Sequence, residues 1–204
     1  MKGLRILTLA FGTLSAIMAA AEALRSVLTV AIADRVGIGE DSVRRATHLA
    51  QQILQAAGIP TEFVSCQIAK VGPYFRSDCP STIGRINVYL SIASKPAADH
   101  KVEPTSAALA LAGLPGELGS HIYVYHDRMS QAARFGNCLT FRVLGHVMAH
   151  EIGHLLGLRH SSWGIMSETW NSKAMKEVSV ACLLFSADEA QTMQDNIRKR
   201  SSAH

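Results

Sequence analysis

The 204-residue chain has no low-complexity tract, no visible internal repeat and no concentrated basic face. The first two absences leave an ordinary globular composition, 48% hydrophobic and 18% charged, of a length that buries a real core in one domain. The third excludes nucleic acid as a partner: lysines and arginines are scattered, and the one cluster, IRKR near the C-terminus, reads as a solvated helix end. None of the four cysteines forms a C-x-x-C pair, which leaves disulfides or buried thiols.

What is present begins with a three-part N-terminus. MKGLR is basic, ILTLAFGTLSAIM is apolar, and AAAEA offers small residues for cleavage after Ala21 or Ala23. This is the layout of a secretory signal peptide over residues 1–21, and it implies a secreted or periplasmic protein. The alternative is an uncleaved membrane anchor, since the apolar stretch approaches spanning length. No cysteine stands at the cleavage site, which argues against a lipid anchor. Removing Lys2 and Arg5 lowers the formal charge from +4 to +2.

Export changes the reading of Cys66, Cys79, Cys138 and Cys182. Four cysteines allow three pairings. The pairing expected here is Cys66–Cys79, which closes a short loop, with Cys138–Cys182, which ties the entry of a long helix to the C-terminal segment.

Along the chain, VLTVAIAD (Val27 to Asp34) is a near-continuous apolar run suited to a strand buried on both faces. EDSVRRATHLAQQILQAAG follows as an amphipathic helix, with Val43, Ala46, Ala50, Ile53 and Ala57 at steps of three or four, ended by Gly58 and Pro60. TEFVSCQ and the alternating RINVYLSI are further strands, ALALA (108–112) is a weak one, and HIYVYH (121–126) a stronger one. A long helix is expected from about Phe141 to Leu156, and a last one after the capping box Ser186 to Glu189. The fold class is α/β: a twisted, mostly parallel sheet with an antiparallel edge strand, a backing helix, the long helix and a C-terminal helix.

HEIGHLLGLRHSSWGIM, His150 to Met166, carries the chemistry. On a helix His150 and His154 lie one turn apart on the same face, so both imidazoles can reach one cation. Gly157 can adopt the left-handed conformation that ends the helix, and the returning chain delivers His160 as a third ligand. Three neutral imidazoles suit one catalytic Zn²⁺ with a position open for water. Glu151, about 100° around the helix from His150, flanks that position and can act as general base. Chance occurrence of the five fixed residues, at about 2% for each histidine and near 7% for the others, is on the order of 10⁻⁵.

His146 offers a rival face with His150 and His154. Three residues at four-residue steps are too extended for a tetrahedral site, so it is not expected to ligate. His48, His100, His121, His126 and His204 have no ligand spacing.

H-E-x-x-H-x-x-G-x-x-H followed by methionine resembles the metzincin zinc endopeptidases. VMAHEIGHLLGLRHS looks most like the matrixins, and LALAGLPG (Leu109 to Gly116) is similar to the matrixin segment along the active-site cleft. The resemblance implies a zincin-like catalytic domain over 24–204, a peptide-hydrolysing zinc enzyme with Glu151 as base, and zinc on His150, His154 and His160. It implies that Met166 forms the turn beneath the metal. It also implies that an extended peptide pairs antiparallel with an edge strand formed by Ala108, Leu109, Ala110, Leu111, Ala112 and Gly113.

Departures from the matrixin pattern carry their own expectations. Leu111 stands where those proteins usually have a histidine of a second zinc site, so no structural zinc is expected there. No Asp-rich calcium loop and no P-R-C-G propeptide segment is visible, and the stretch from His160 to Met166 is about two residues shorter. Two alternatives are a non-catalytic zinc-stabilised peptide-binding module and a membrane-anchored form of the protease. Trp163 and Trp170 either line the cleft or pack near the turn. Pocket preference, substrate and oligomeric state are not legible.

Overall fold

The structure, a computed structural model, describes residues 27–71, 74–79, 87–94, 109–112 and 121–202. The signal segment, Ala108 and Gly113 of the expected edge, and Arg85 and Ile86 of the third expected strand lie outside these residues.

Five strands make the main sheet: β1 (Leu28–Asp34), β2 (Thr61–Ser65), β5 (Asn87–Ala93), β6 (Ala110–Ala112) and β7 (His121–Tyr125), in the order β2-β1-β5-β7-β6. The pairs β1–β2, β1–β5 and β5–β7 are parallel, and β6 runs antiparallel along β7 at the edge, with Leu111 opposite Tyr123. The sheet is thus the mostly parallel one expected, with its antiparallel edge strand. Interior strand β1 is buried from Leu28 to Ala33, which is why its sequence is apolar without alternation. It ends at Asp34, whose carboxylate accepts from the N–H groups of Val36, Gly37 and Ile38 at 3.1, 2.9 and 2.9 Å. That turn hands the chain to the first helix.

Helix α1 (Glu40–Ala56) buries Val43, Ala46, Leu49, Ala50, Ile53 and Leu54. Each of its fully buried leucine or isoleucine side chains contributes about 1.5–3 kcal/mol by leaving water. That face packs against α3 (Thr140–Leu155), the helix carrying the histidine motif, and both share one core with the sheet. The C-terminal helix α5 (Ala187–Ser202) opens with the capping box: Ser186 N–H donates to the Glu189 carboxylate at 2.7 Å and Glu189 N–H to Ser186 Oγ at 3.2 Å. It then caps two helices from outside. Gln194 donates to Ala57 O at 2.9 Å beyond α1, and Asn196 to Leu156 O at 2.8 Å beyond α3, which satisfies carbonyls that helix ends otherwise leave open.

Three features differ from expectation. TEFVSCQ is not one strand: β2 ends at Ser65, and the chain continues into an antiparallel hairpin of β3 (Gln67–Val71) and β4 (Tyr74–Asp78). The Cys66–Cys79 disulfide closes this hairpin's base. Two short helices also went unforeseen, α2 (His126–Phe135) and α4 (Ser172–Val180), each burying only two residues.

The expected Cys138–Cys182 bond is absent, and both are free thiols. Arg142 donates to Val178 O and Ala181 O, and Leu183 N–H donates to His146 Nε2 at 3.1 Å. The chain on either side of Cys182 is thus tied to Arg142 and His146 on α3, while Cys138, two residues before that helix, directs its thiol to Leu139 O at 3.7 Å.

Candidate metal centre

Helix α3 places His150 and His154 on one face, and the chain returns after Gly157 (φ +92°) to bring His160 back against them. The His154 Nε2 lies 3.0 Å from His150 Nε2 and 3.1 Å from His160 Nε2. All three ligand atoms fall within 4.8 Å of one another. Nitrogens about 2.0–2.1 Å from a tetrahedral zinc would stand about 3.3 Å apart. The trio fits that ion.

The other ring nitrogens show which tautomer the fold selects. His150 Nδ1–H donates to Ile165 O at 2.7 Å and His154 Nδ1–H to Leu158 O at 2.9 Å. Each Nε2 lone pair is thereby turned to the centre, the arrangement metal-binding histidines use. Burial lowers the His150 pKa to about 4 and lowers that of His154 as well. Both rings are neutral near pH 7, the form that ligates.

The loop beyond His160 is tied in two places. Ser161 N–H donates to Met166 O at 2.8 Å, and Ser161 Oγ to Trp163 O at 2.7 Å. Met166 is fully buried and packs under the helix at Gly153, where a Cβ would stand 2.8 Å from the Met166 Sδ. That close approach explains the glycine of HEIGH.

Glu151 is buried at 7% exposure beside the first histidine. Burial alone pushes its carboxyl up to about 8. A cation among the histidines would favour the ionised form, because opposite charge at short range lowers a carboxyl pKa. The same surroundings hold Tyr125 at the end of β7, fully buried, with its hydroxyl lacking a hydrogen-bond partner among the described residues.

His146 is no ligand. Its Nδ1–H donates to Arg142 O at 2.7 Å and its Nε2 accepts from Leu183 N–H at 3.1 Å, so both nitrogens serve the fold. Trp170 packs rather than lines a cleft. Its ring lies edge-on to His146 at 6.0 Å and to His150 at 6.1 Å between centroids. Trp163, by contrast, is 67% exposed.

Of the expected substrate edge, Ala110 to Ala112 form β6, and Leu109 continues the pairing through its carbonyl, which accepts from Tyr125 N–H at 2.9 Å. What sequence reasoning missed are the backbone acceptors, Ile165 O and Leu158 O. Every residue carries a carbonyl, so no residue type marks them.

The matrixin family profile, peptidase family M10, matches residues 88–194, just over half of the chain. The chain belongs to the matrixin family. It is accordingly a zinc metallopeptidase, and the region matched contains the three histidines, Glu151 and Met166. Among solved structures the chain is similar to archaemetzincin from Methanopyrus kandleri, at 14% identity and a TM-score of 0.49, over 85% of this chain and 97% of that one. No curated protein matches it significantly.

Proposed function

We propose that this matrixin is an endopeptidase that binds one zinc ion through His150, His154 and His160 and uses Glu151 as its general base. The observation that carries the reading is the convergence of three imidazole nitrogens within 4.8 Å, with a buried carboxyl on the residue after the first histidine of the same helix. The bound ion supplies a Lewis acid for the peptide carbonyl and a charge that eases deprotonation of water.

The chain's own residues do the rest. Ile165 O and Leu158 O hold two imidazoles with Nε2 presented inward. Glu151, ionised beside the cation, takes the proton of the attacking water and then gives it to the leaving amine. Its burial keeps bulk water from competing for that proton. A merely structural site needs no base at this position.

Substrate lies extended along β6. Among the described residues β6 pairs only with β7, so its other edge can accept a peptide strand through main-chain hydrogen bonds. Small residues at Ala110 and Ala112 suit recognition of backbone. The protein acts outside the cytoplasm, secreted or periplasmic, given its signal-like N-terminus; the Cys66–Cys79 disulfide agrees with an oxidising compartment. Among the described residues no helix is long and apolar enough to cross a membrane.

The test is digestion of an unfolded protein by the zinc-loaded chain, followed by mass spectrometry of the fragments. Internal cuts support an endopeptidase. Release of terminal residues only would point to an exopeptidase, and zinc binding without any cut to a binding module.

A further inference from the structure

We propose that Trp170 is a positioning residue for the first zinc ligand, acting on His150 through the carbonyl of Ile165. This rests on His150 being a ligand, as argued above, and adds a residue that the histidine motif does not include.

Three contacts carry the inference. Ile165 O accepts from His150 Nδ1–H at 2.7 Å and, on the same oxygen, from Trp170 Nε1–H at 3.2 Å. The indole ring also meets the His150 imidazole edge-on, 82° between planes at 6.1 Å. Its third contact is His146, 80° at 6.0 Å, and that ring is itself fixed at both nitrogens, to Arg142 O and Leu183 N. Trp170 is therefore braced against an immobile imidazole on one side while it restrains the ligating imidazole and its acceptor on the other.

A carbonyl can accept two hydrogen bonds, so the arrangement is chemically complete. The two donors have opposite electronic and geometric effects. Sharing the oxygen weakens its pull on His150 Nδ1–H slightly, which makes Nε2 a poorer donor to metal. Holding the 165–166 peptide from a second side keeps that oxygen aimed at His150, and the ring edge limits rotation of the imidazole. The shorter bond belongs to His150, 2.7 against 3.2 Å, so the shared oxygen still serves the ligand first. Orientation outweighs electron donation, and loss of the indole N–H weakens metal binding.

The deciding variant is Trp170→Phe, which keeps an aromatic ring against both histidines and removes the N–H. Trp170→Ala removes the ring as well. Zinc affinity is measured by competition with a chromophoric chelator, and the ligand field by the visible spectrum of the cobalt(II)-substituted protein. Thermal unfolding of the metal-free proteins runs beside them. We expect Trp170→Phe to bind zinc about ten-fold more weakly, as other outer-shell partners of metal-bound histidine do. Its cobalt bands should shift, and its metal-free melting should stay near wild type. Unchanged affinity and spectrum in Trp170→Phe, or tighter binding, overturns the proposal while leaving the zinc site standing. A wild-type chain that binds neither ion overturns the site and this inference together. If Trp170→Ala fails to fold, Trp170→Phe still decides.

Discussion

Met166 lies directly beneath Gly153 of the motif helix, its Sδ 2.8 Å from where a Cβ would be, with Phe185 Cε1 at 3.0 Å from the same point. The helix that presents two histidines and the loop that follows the third are therefore fitted to each other through a missing side chain. In an exposed helix a Gly→Ala change would gain about 1 kcal/mol of propensity. Here overpacking, at about 1–3 kcal/mol, opposes that gain. Gly153→Ala should be destabilising by up to about 2 kcal/mol in urea unfolding, the difference of the two effects, and should weaken zinc binding as well. A stabilised Gly153→Ala would show that the turn is looser than described.

His146 makes stability depend on acidity. Burial lowers its pKa to about 4 from an ordinary 6.5, so between those values the unfolded chain binds more protons than the folded one. Its contribution is complete above pH 6.5 and is lost as pH falls toward 4, by about 3 kcal/mol in all. Relative to His146→Gln, wild type should lose stability steadily over that window. Parallel curves for the two proteins would mean that the imidazole is not held neutral.

Tyr125 carries a buried hydroxyl without a partner among the described residues. Deleting it removes a desolvation penalty of about 1–3 kcal/mol. Tyr125→Phe should be neutral or more stable in chemical denaturation. A loss of more than about 1 kcal/mol would mean that the hydroxyl bonds to something in solution.

The cysteines give a count. Denatured without reductant, the protein should show two reactive thiols, Cys138 and Cys182, and peptide mapping should find Cys66 joined to Cys79. No thiols at all would restore the pairing expected from sequence.

How much of this was legible beforehand follows from what sequence encodes. The buried run of β1, the periodic face of α1, and the Ser186–Glu189 box each state a local rule, and each element formed where that rule placed it. The histidines were legible because ligation demands residue types at fixed spacing. Helices α2 and α4 were not, since Met129 and Ala133 in one, and Met175 and Val178 in the other, are too few to show a period. The break at Cys66 was hidden because TEFVS and QIAKV are both strand-like, and only pairing with β4 separates them. The role of Trp170 was illegible for a different reason: its partners are a backbone oxygen and rings on another element.

Glu151 is assigned the chemistry, and His150, His154 and His160 the metal, in the function proposed for this chain; that division of labour is one testable statement. It is tested most directly by incubating zinc-loaded wild type and Glu151→Ala with an unfolded protein substrate, with zinc counted in both and in His154→Ala. Wild type and Glu151→Ala should each carry about one zinc per chain, only wild type should cleave, and His154→Ala should lose the metal. Equal cleavage by Glu151→Ala, or full zinc retention by His154→Ala, would contradict that division of labour.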